Sequence, residues 1–371
     1  MASRTTPPFR ADHVGSLLRP KELVDAREKK KRGEISADAL REAEDKAIRD
    51  VVRLQEDIGL QVATDGEFRR TFWHVDFLVS FQNVVMVPPS IKASFHTHQG
   101  DIHFAPPGIR IDGKLGRPKP IFVDHFKFLK SVTKVTPKMT IPAPSNMHFR
   151  GGRKAIDEKA YPDLGEFYAD LARVYNEEMR DLAAAGCRYL QIDEVNFAYL
   201  CDPKLREQVQ NIGSDPNTLP KTYAKLINDS IAGKPADMVT AMHLCRGNFK
   251  SAWVAEGGYE PVADVLFNQI NVDGYFLEYD DERSGDFAPL RFVPKGKTVI
   301  LGLVTTKLSA LETKDALKRR IEEAAKHCPL DQLALSPQCG FSSTIEGNDV
   351  SVADEVAKLR LVVETAKEVW G

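Results

Sequence analysis

The chain is poor in cysteine, in net charge and in long apolar runs, and each shortage removes a class of function. Five cysteines, at positions 187, 201, 245, 328 and 339, are spread through 371 residues. An odd, sparse set of this kind speaks for reduced thiols rather than a disulfide frame. Lysine plus arginine (51) nearly balance aspartate plus glutamate (53), for a formal charge of -2. That balance gives no electrostatic footprint for nucleic acid or an anionic membrane surface. The one basic cluster, Arg27-Glu-Lys-Lys-Lys-Arg32, is flanked by acids and reads as the solvated face of a helix. No apolar run approaches the ~18 residues of a membrane span. The stretch Met1-Ala-Ser-Arg-Thr-Thr-Pro-Pro8 lacks the hydrophobic core of a secretory signal. The expected location is cytoplasmic, with neither membrane nor nucleic acid as partner. No glycine-rich phosphate fingerprint follows any strand-like run, which argues against nucleotide binding.

What the chain does have is rhythm. Short apolar runs at 11–19, 60–67, 138–142, 188–195, 238–245, 274–279, 298–304 and 332–336 read as eight strands. Amphipathic stretches at 36–60, 164–185, 221–232, 261–270, 313–327 and 351–369 separate or follow most of them. Gly59 ends the first of these helices, and Ser351-Val-Ala-Asp354 has capping-box spacing at the last. Near-continuous apolar strands alternating with helices predict a parallel sheet covered on its outer face, as in a (β/α)8 TIM barrel. Residues 83–120 break the pattern. They are rich in proline and glycine and read as a β-hairpin insertion in a single catalytic barrel spanning 1–371. His96, His98 and His103 within it read as alternating, solvent-facing strand residues.

The unusual polar residues return to one place, the C-terminal ends of the strands. They are His13 and Ser16, Asp65 and Glu67, Asp193 and Glu194, His243 and Cys245, Glu278, Lys307, and Cys339. In a barrel those ends open into one bowl, where the site belongs. His243 and Cys245 lie two apart on an extended run, so both side chains project to the same side and can hold one metal ion. Glu278 and Cys339, late in later strands, complete a four-donor set suited to Zn2+. Alone, a His-x-Cys pair or a glutamate at a strand end would be structural. Their joint occurrence predicts a zinc site. Ser16, Glu67, Asp193 and Glu194, with His13, are the candidate substrate-binding residues. Cys187, Cys201 and Cys328 lie on helical or loop stretches and carry no assigned chemistry.

These motifs resemble, in order and spacing, the catalytic C-terminal barrel of the cobalamin-independent methionine synthase family, the 5-methyltetrahydropteroyltriglutamate–homocysteine methyltransferases. The residues that carry the resemblance are His243-x-Cys245, Phe276-Leu-Glu278 and Ser336-Pro-Gln-Cys-Gly340, with Val14-Gly-Ser16, Gly66-Glu67 and Gln191-Ile-Asp-Glu194. The resemblance implies a zinc-dependent S-methyltransferase of methionine biosynthesis, in which a zinc-held thiolate attacks an alkyl donor. It implies that Ser16 contacts the amino-acid substrate and that the acids hold the amino group of homocysteine. Two segments depart from the family pattern. Ile141-Pro-Ala-Pro-Ser145 offers no aromatic where the family stacks a pterin on tryptophan. Gly302-Leu-Val-Thr-Thr-Lys307 places a lysine or threonine where the family has a proton-donating histidine, so Lys307 is the candidate acid or anion-binding group. The expected partners are therefore a small-molecule thiol, homocysteine or an analogue, and an alkyl donor whose identity stays open, as does homo-oligomerisation. The alternative reading is a zinc-dependent thiol–epoxide alkyltransferase, similar to epoxyalkane:coenzyme M transferases.

Overall fold

A computed structural model describes residues 4–88, 93–97, 100–104, 107–211 and 213–371. Six parallel strands pair in chain order: Met139–Pro142, Tyr189–Glu194, Val239–Leu244, Gly274–Glu278, Thr298–Val304 and Leu333–Pro337. The short strand Val62–Ala63 pairs in parallel with Thr136–Pro137, which runs on into Met139–Pro142. Ala11 bridges Leu335 in parallel, with Asp12 N–H donating to the Leu335 carbonyl at 3.1 Å. On its other side the first segment reaches the second through Leu17 N–H to the Gly66 carbonyl at 3.1 Å. The eight segments thus close on themselves, and the fold is the expected (β/α)8 barrel. Closure leaves the sheet without a free edge.

The expected first strand, 11–19, is paired only at Ala11, because the chain then turns across the barrel mouth. Gly15 takes a φ of 131°, and the Ser16 carbonyl accepts from Phe341 N–H. The helices follow local chemistry. Helix Ala37–Ile58 is capped by Ser36, whose side chain accepts from Ala39 N–H, and stops at Gly59 in the left-handed region. The Ser351–Asp354 capping box forms on helix Val352–Trp370. Arg27 to Lys31 lie within helix Lys21–Lys31, as the charge pattern predicts. No helix among the described residues is long and apolar enough to cross a membrane.

Side chains on a strand alternate between the two faces of the sheet. Val14, Val62, Tyr189, Ala241, Phe276, Ile300 and Ala334, one from each of seven strands, form a single buried cluster with Phe9. Lys138 of the remaining strand lies over the Tyr189 and Phe276 rings. This is the packed interior of the barrel. Counting on by two from these positions reaches Ser16, Thr140, Gln191, His243, Glu278 and Ser336, and by four Asp193 and Cys245. The plug thereby fixes which polar residues rise into the mouth.

The insertion is present as two nested antiparallel pairs, Gln82–Val87 with Gly108–Gly116 and Ala93–Thr97 with Gly100–Phe104. It folds back onto the loop after the fifth barrel strand, where His96 and Trp253 exchange backbone hydrogen bonds and Phe95 packs 5.5 Å from Phe249. His96 pairs with Asp101 at 2.8 Å and belongs to no metal cluster among the described residues. His98 and the His103 side chain fall outside the described residues.

Candidate active site

The pocket at the mouth encloses about 670 Å³, including the part open to solvent, within the usual span for small-molecule sites. Val14, Ser16, Glu67, Asp193, His243, Cys245 and Cys339 all contribute to its wall. Beneath it, one donor atom from each of His243, Cys245, Glu278 and Cys339 lies within 4.8 Å of the other three. The Cys245 and Cys339 sulfurs are 3.5 Å apart, far too distant for a disulfide. Two thiolates each ~2.3 Å from a common tetrahedral zinc would stand about 3.8 Å apart. His243 is 2% exposed, and apart from the Cys339 sulfur its ring nitrogens have no hydrogen-bond partner. A buried imidazole set among two thiols and a carboxylate fits a cation.

Neighbouring hydrogen-bond donors hold these groups in place. Arg246 N–H donates to Glu278 Oε1 at 2.9 Å, and the Arg283 guanidinium lies 3.2 Å from Oε2. Gly247 N–H donates to the Cys245 sulfur at 3.4 Å. Gly247 has a φ of 84°, and a Cβ there would meet the Tyr199 hydroxyl at 2.6 Å, so this turn requires glycine. The two thiols titrate as a pair. The hydrogen bond from Cys245 holds Cys339 well below the ordinary thiol range against the effect of burial, helped by a hydrogen bond and charge from His243 and by the charge of Lys307. The same bond, together with burial, drives Cys245 upward. Burial works against a charged His243, but the neighbouring Cys339, Asp193 and Glu278 outweigh it and raise its pKa.

Glu67 and Asp193 form the pocket's acidic wall. Gly66 and Glu67 both sit in the left-handed region, at φ 65° and 61°. A side chain at φ > 0 is a strained choice that turns and sites retain when geometry demands it. Here the turn delivers the Glu67 carboxylate inward. Its Oε1 accepts from Thr140 Oγ1 at 2.8 Å and lies 3.4 Å from Arg70, while Oε2 is buried without a partner. Burial raises the Glu67 pKa against the pull of Arg70 and Thr140. Burial, then repulsion from Glu67, pushes Asp193 up to about 7.

Of the residues grouped with this site by sequence, Glu278 lies beneath the pocket, and Asp65, Glu194, His13 and Lys307 do not line it. Asp65 instead accepts from Glu67 N–H at 2.9 Å. Glu194 follows Asp193 directly and so points to the opposite face. Its carboxylate accepts from Ser145 Oγ and Asn196 N–H, and burial moves its pKa to about 7. His13 precedes Val14 and is turned away for the same reason; it is buried, and its ring lies outside the pocket wall. Lys307 is 3% exposed and also lies off the wall, acting on the cluster through its charge near Cys339. Reading both members of Asp193-Glu194 into the bowl overlooked strand alternation. Conversely, Phe72, Trp73, His74, Phe95, Arg150, Tyr199, Asn248, Phe249, Ser343 and Thr344 line the pocket and were not singled out. Most sit on loops, where no periodicity marks them; Phe95 lies on the inserted strand Ala93–Thr97 and Tyr199 in the short helix Asn196–Tyr199. The aromatic lining missing from 141–145 is supplied by these other segments.

The sequence model of the cobalamin-independent synthase catalytic domain matches residues 9–368. Protein YxjH of Bacillus subtilis, itself uncharacterised, is 46% identical over 98% of this chain and 95% of its own length. The methionine synthase of Saccharolobus solfataricus is 25% identical over 88% of this chain and 86% of that protein. Among solved structures, a Listeria monocytogenes protein assigned as a vitamin-B12 independent methionine synthase superposes with a TM-score of 0.78, at 38% identity and 99% coverage of both chains. With its barrel, the ordered motifs and a match along nearly the whole chain, this protein belongs to the cobalamin-independent methionine synthase family of methyltransferases, in that family's catalytic domain.

Proposed function

We propose that the chain is a zinc-dependent thiol S-methyltransferase whose acceptor is homocysteine, with His243, Cys245, Glu278 and Cys339 as the metal donors. The observation that carries this is the convergence of those donors beneath a pocket walled by Glu67 and Asp193. Zinc held there would remove the proton of an incoming thiol, which is mostly protonated at neutral pH, and keep the sulfur nucleophilic. The residues of the chain do the rest. Glu67 and Asp193 present negative charge to an ammonium group and so orient an amino thiol with its sulfur toward the cluster. Ser16, on the same wall, offers a hydroxyl to the amino acid. Trp73, Phe95, Tyr199 and Phe249 exclude water from the space above the sulfur, where an alkyl carbon must approach. Lys307 supports the ionised state of Cys339. The reading takes the domain to be a single catalytic barrel, and takes the acceptor from the Saccharolobus solfataricus methionine synthase it resembles, since methionine is homocysteine methylated on sulfur.

The test is metal analysis of the purified protein, thiol titration, and product assay. About one zinc per chain, proton release on adding homocysteine, and methionine formed from homocysteine and a methylfolate or methylcobalamin are expected. Failure to form methionine from every donor would remove the reading. Thiol-dependent consumption of a small epoxide would put the alkyltransferase alternative in its place.

A further inference from the structure

One corner of the pocket offers a positive charge with no acid beside it. Arg150 follows the short helix Asn146–Phe149, and His74 follows the second barrel strand; both line the pocket. Arg150 Nη1 lies 2.9 Å from His74 Nε2. Arg70 and Arg283, buried nearby, each face a carboxylate, whereas among the described residues Arg150 has no ion-pair partner. His74 is 5% exposed, and burial together with the Arg150 charge keeps its ring neutral. A neutral imidazole that accepts from arginine on Nε2 carries its proton on Nδ1. That Nδ1 is buried and has no partner either. The Trp73 ring packs 4.4 Å from the His74 ring and fixes its orientation.

A guanidinium that lines the pocket with no acid beside it describes half of a charge-assisted hydrogen-bond pair. We propose that Arg150, oriented by His74, forms an anion subsite of the pocket, which takes the carboxylate of one of the two substrates. Glu67 and Asp193, on the same pocket wall, take a cation. The pocket is therefore dipolar and suited to a zwitterionic or acid-bearing small molecule. Which substrate carries the carboxylate rests on the thiol-alkylation reading; the existence of the subsite does not.

The first arm of the test is independent of activity. The protein is titrated with acetate and with sulfate at constant ionic strength, following Trp73 emission, with Trp73→Phe as the signal blank. Saturable responses are expected, weakened at least tenfold in Arg150→Met and in His74→Phe and largely kept in Arg150→Lys. No saturable response to either anion, or responses unchanged in Arg150→Met, would overturn the subsite. The second arm compares L-homocysteine with 3-mercaptopropylamine, the same amino thiol without its carboxylate. If the thiol substrate fills the subsite, wild type prefers homocysteine by tenfold or more and Arg150→Met does not. If the donor fills it, that preference survives, and Arg150→Met raises KM for an acid-bearing methyl donor with homocysteine KM unchanged. A wild-type protein that binds acetate and sulfate but not homocysteine keeps the subsite and sinks the acceptor reading instead.

Discussion

Glu278 enters the donor cluster with both carboxylate oxygens already held, one by a backbone N–H and one by Arg283. Arg283 is fixed in turn by Asp280 at 2.7 Å and by the Trp253 ring beneath its guanidinium. Partners of this kind set the orientation and charge of a ligand. Arg283→Ala is expected to weaken zinc binding by about 10–100-fold without displacing any donor, measured by competition with a calibrated chelator. An unchanged affinity would reduce Arg283 to a structural ion pair. Glu67 carries a different expectation. Glu67→Gln removes the charge but keeps the Thr140 hydrogen bond, so KM for homocysteine should rise about tenfold or more, an interaction worth ~1.4 kcal/mol. Affinity for 4-mercaptobutanoate, which has no ammonium group, should hardly move. Equal losses for both thiols would show that Glu67 only shapes the wall. At this scale the sequence was legible where chemistry and strand parity agree, as at His243, Cys245 and Asp193. It misled at His13 and Glu194, which sit one residue out of phase. Arg150 and His74 left no trace in it, because loops carry no period to read.

Among the elements, the C-terminal helix Val352–Trp370 does more than cover the barrel. Its Glu355 is 1% exposed and accepts from Leu18 N–H at 2.8 Å, tying the helix to the turn that crosses the mouth. Burial pushes the Glu355 carboxyl up to about 8, against the pull of the Leu18 N–H. A carboxyl raised in the folded state binds its proton more tightly there than in the unfolded chain. Its contribution to stability is therefore complete below the unfolded pKa, about 4.3, and is lost as pH rises through about 8. Glu355→Gln keeps an acceptor for Leu18 and removes the titration. Relative to wild type, the variant should gain stability as pH rises from 5 to 8.5, by a few kcal/mol at most. Urea unfolding at the two pH values reads this directly, and a difference that stays constant with pH would rule it out. The helix itself was plain in the sequence because its capping box and amphipathic period point the same way. The helix Val123–Val132 was not foreseen: it is short, and no side chain caps its N-terminus.

For the whole molecule, barrel closure depends on a charged pair set in an apolar interior. Lys138 Nζ lies 2.8 Å from Asp12 Oδ1, both side chains are 0% exposed, and the Tyr189 hydroxyl donates to the other Asp12 oxygen at 2.7 Å. Three strands are joined there: the first, which pairs with its neighbours at few points, and the third and fourth. The Asp12 carboxylate also accepts from His13 N–H, and Lys138 donates to the His13 carbonyl. Burial lowers the Lys138 pKa, and Asp12 opposes the shift. Eight apolar runs alternating with helices fit a barrel better than an open doubly wound sheet. They say nothing about how the shortest, least regular strand is held, because a buried Lys–Asp pair looks in sequence like two surface residues. Taking one partner away leaves a buried charge with no compensation, so Lys138→Met should cost about 3–5 kcal/mol. Removing both, as Lys138→Met with Asp12→Asn, should return much of that loss, because burial of either charge is itself unfavourable. Urea denaturation of the two single variants and the double measures the coupling. If the double variant is as unstable as the sum of the singles, the pair contributes no mutual energy, and the first strand is held by the Ala11–Leu335 bridge, the Leu17–Gly66 hydrogen bond and its packing.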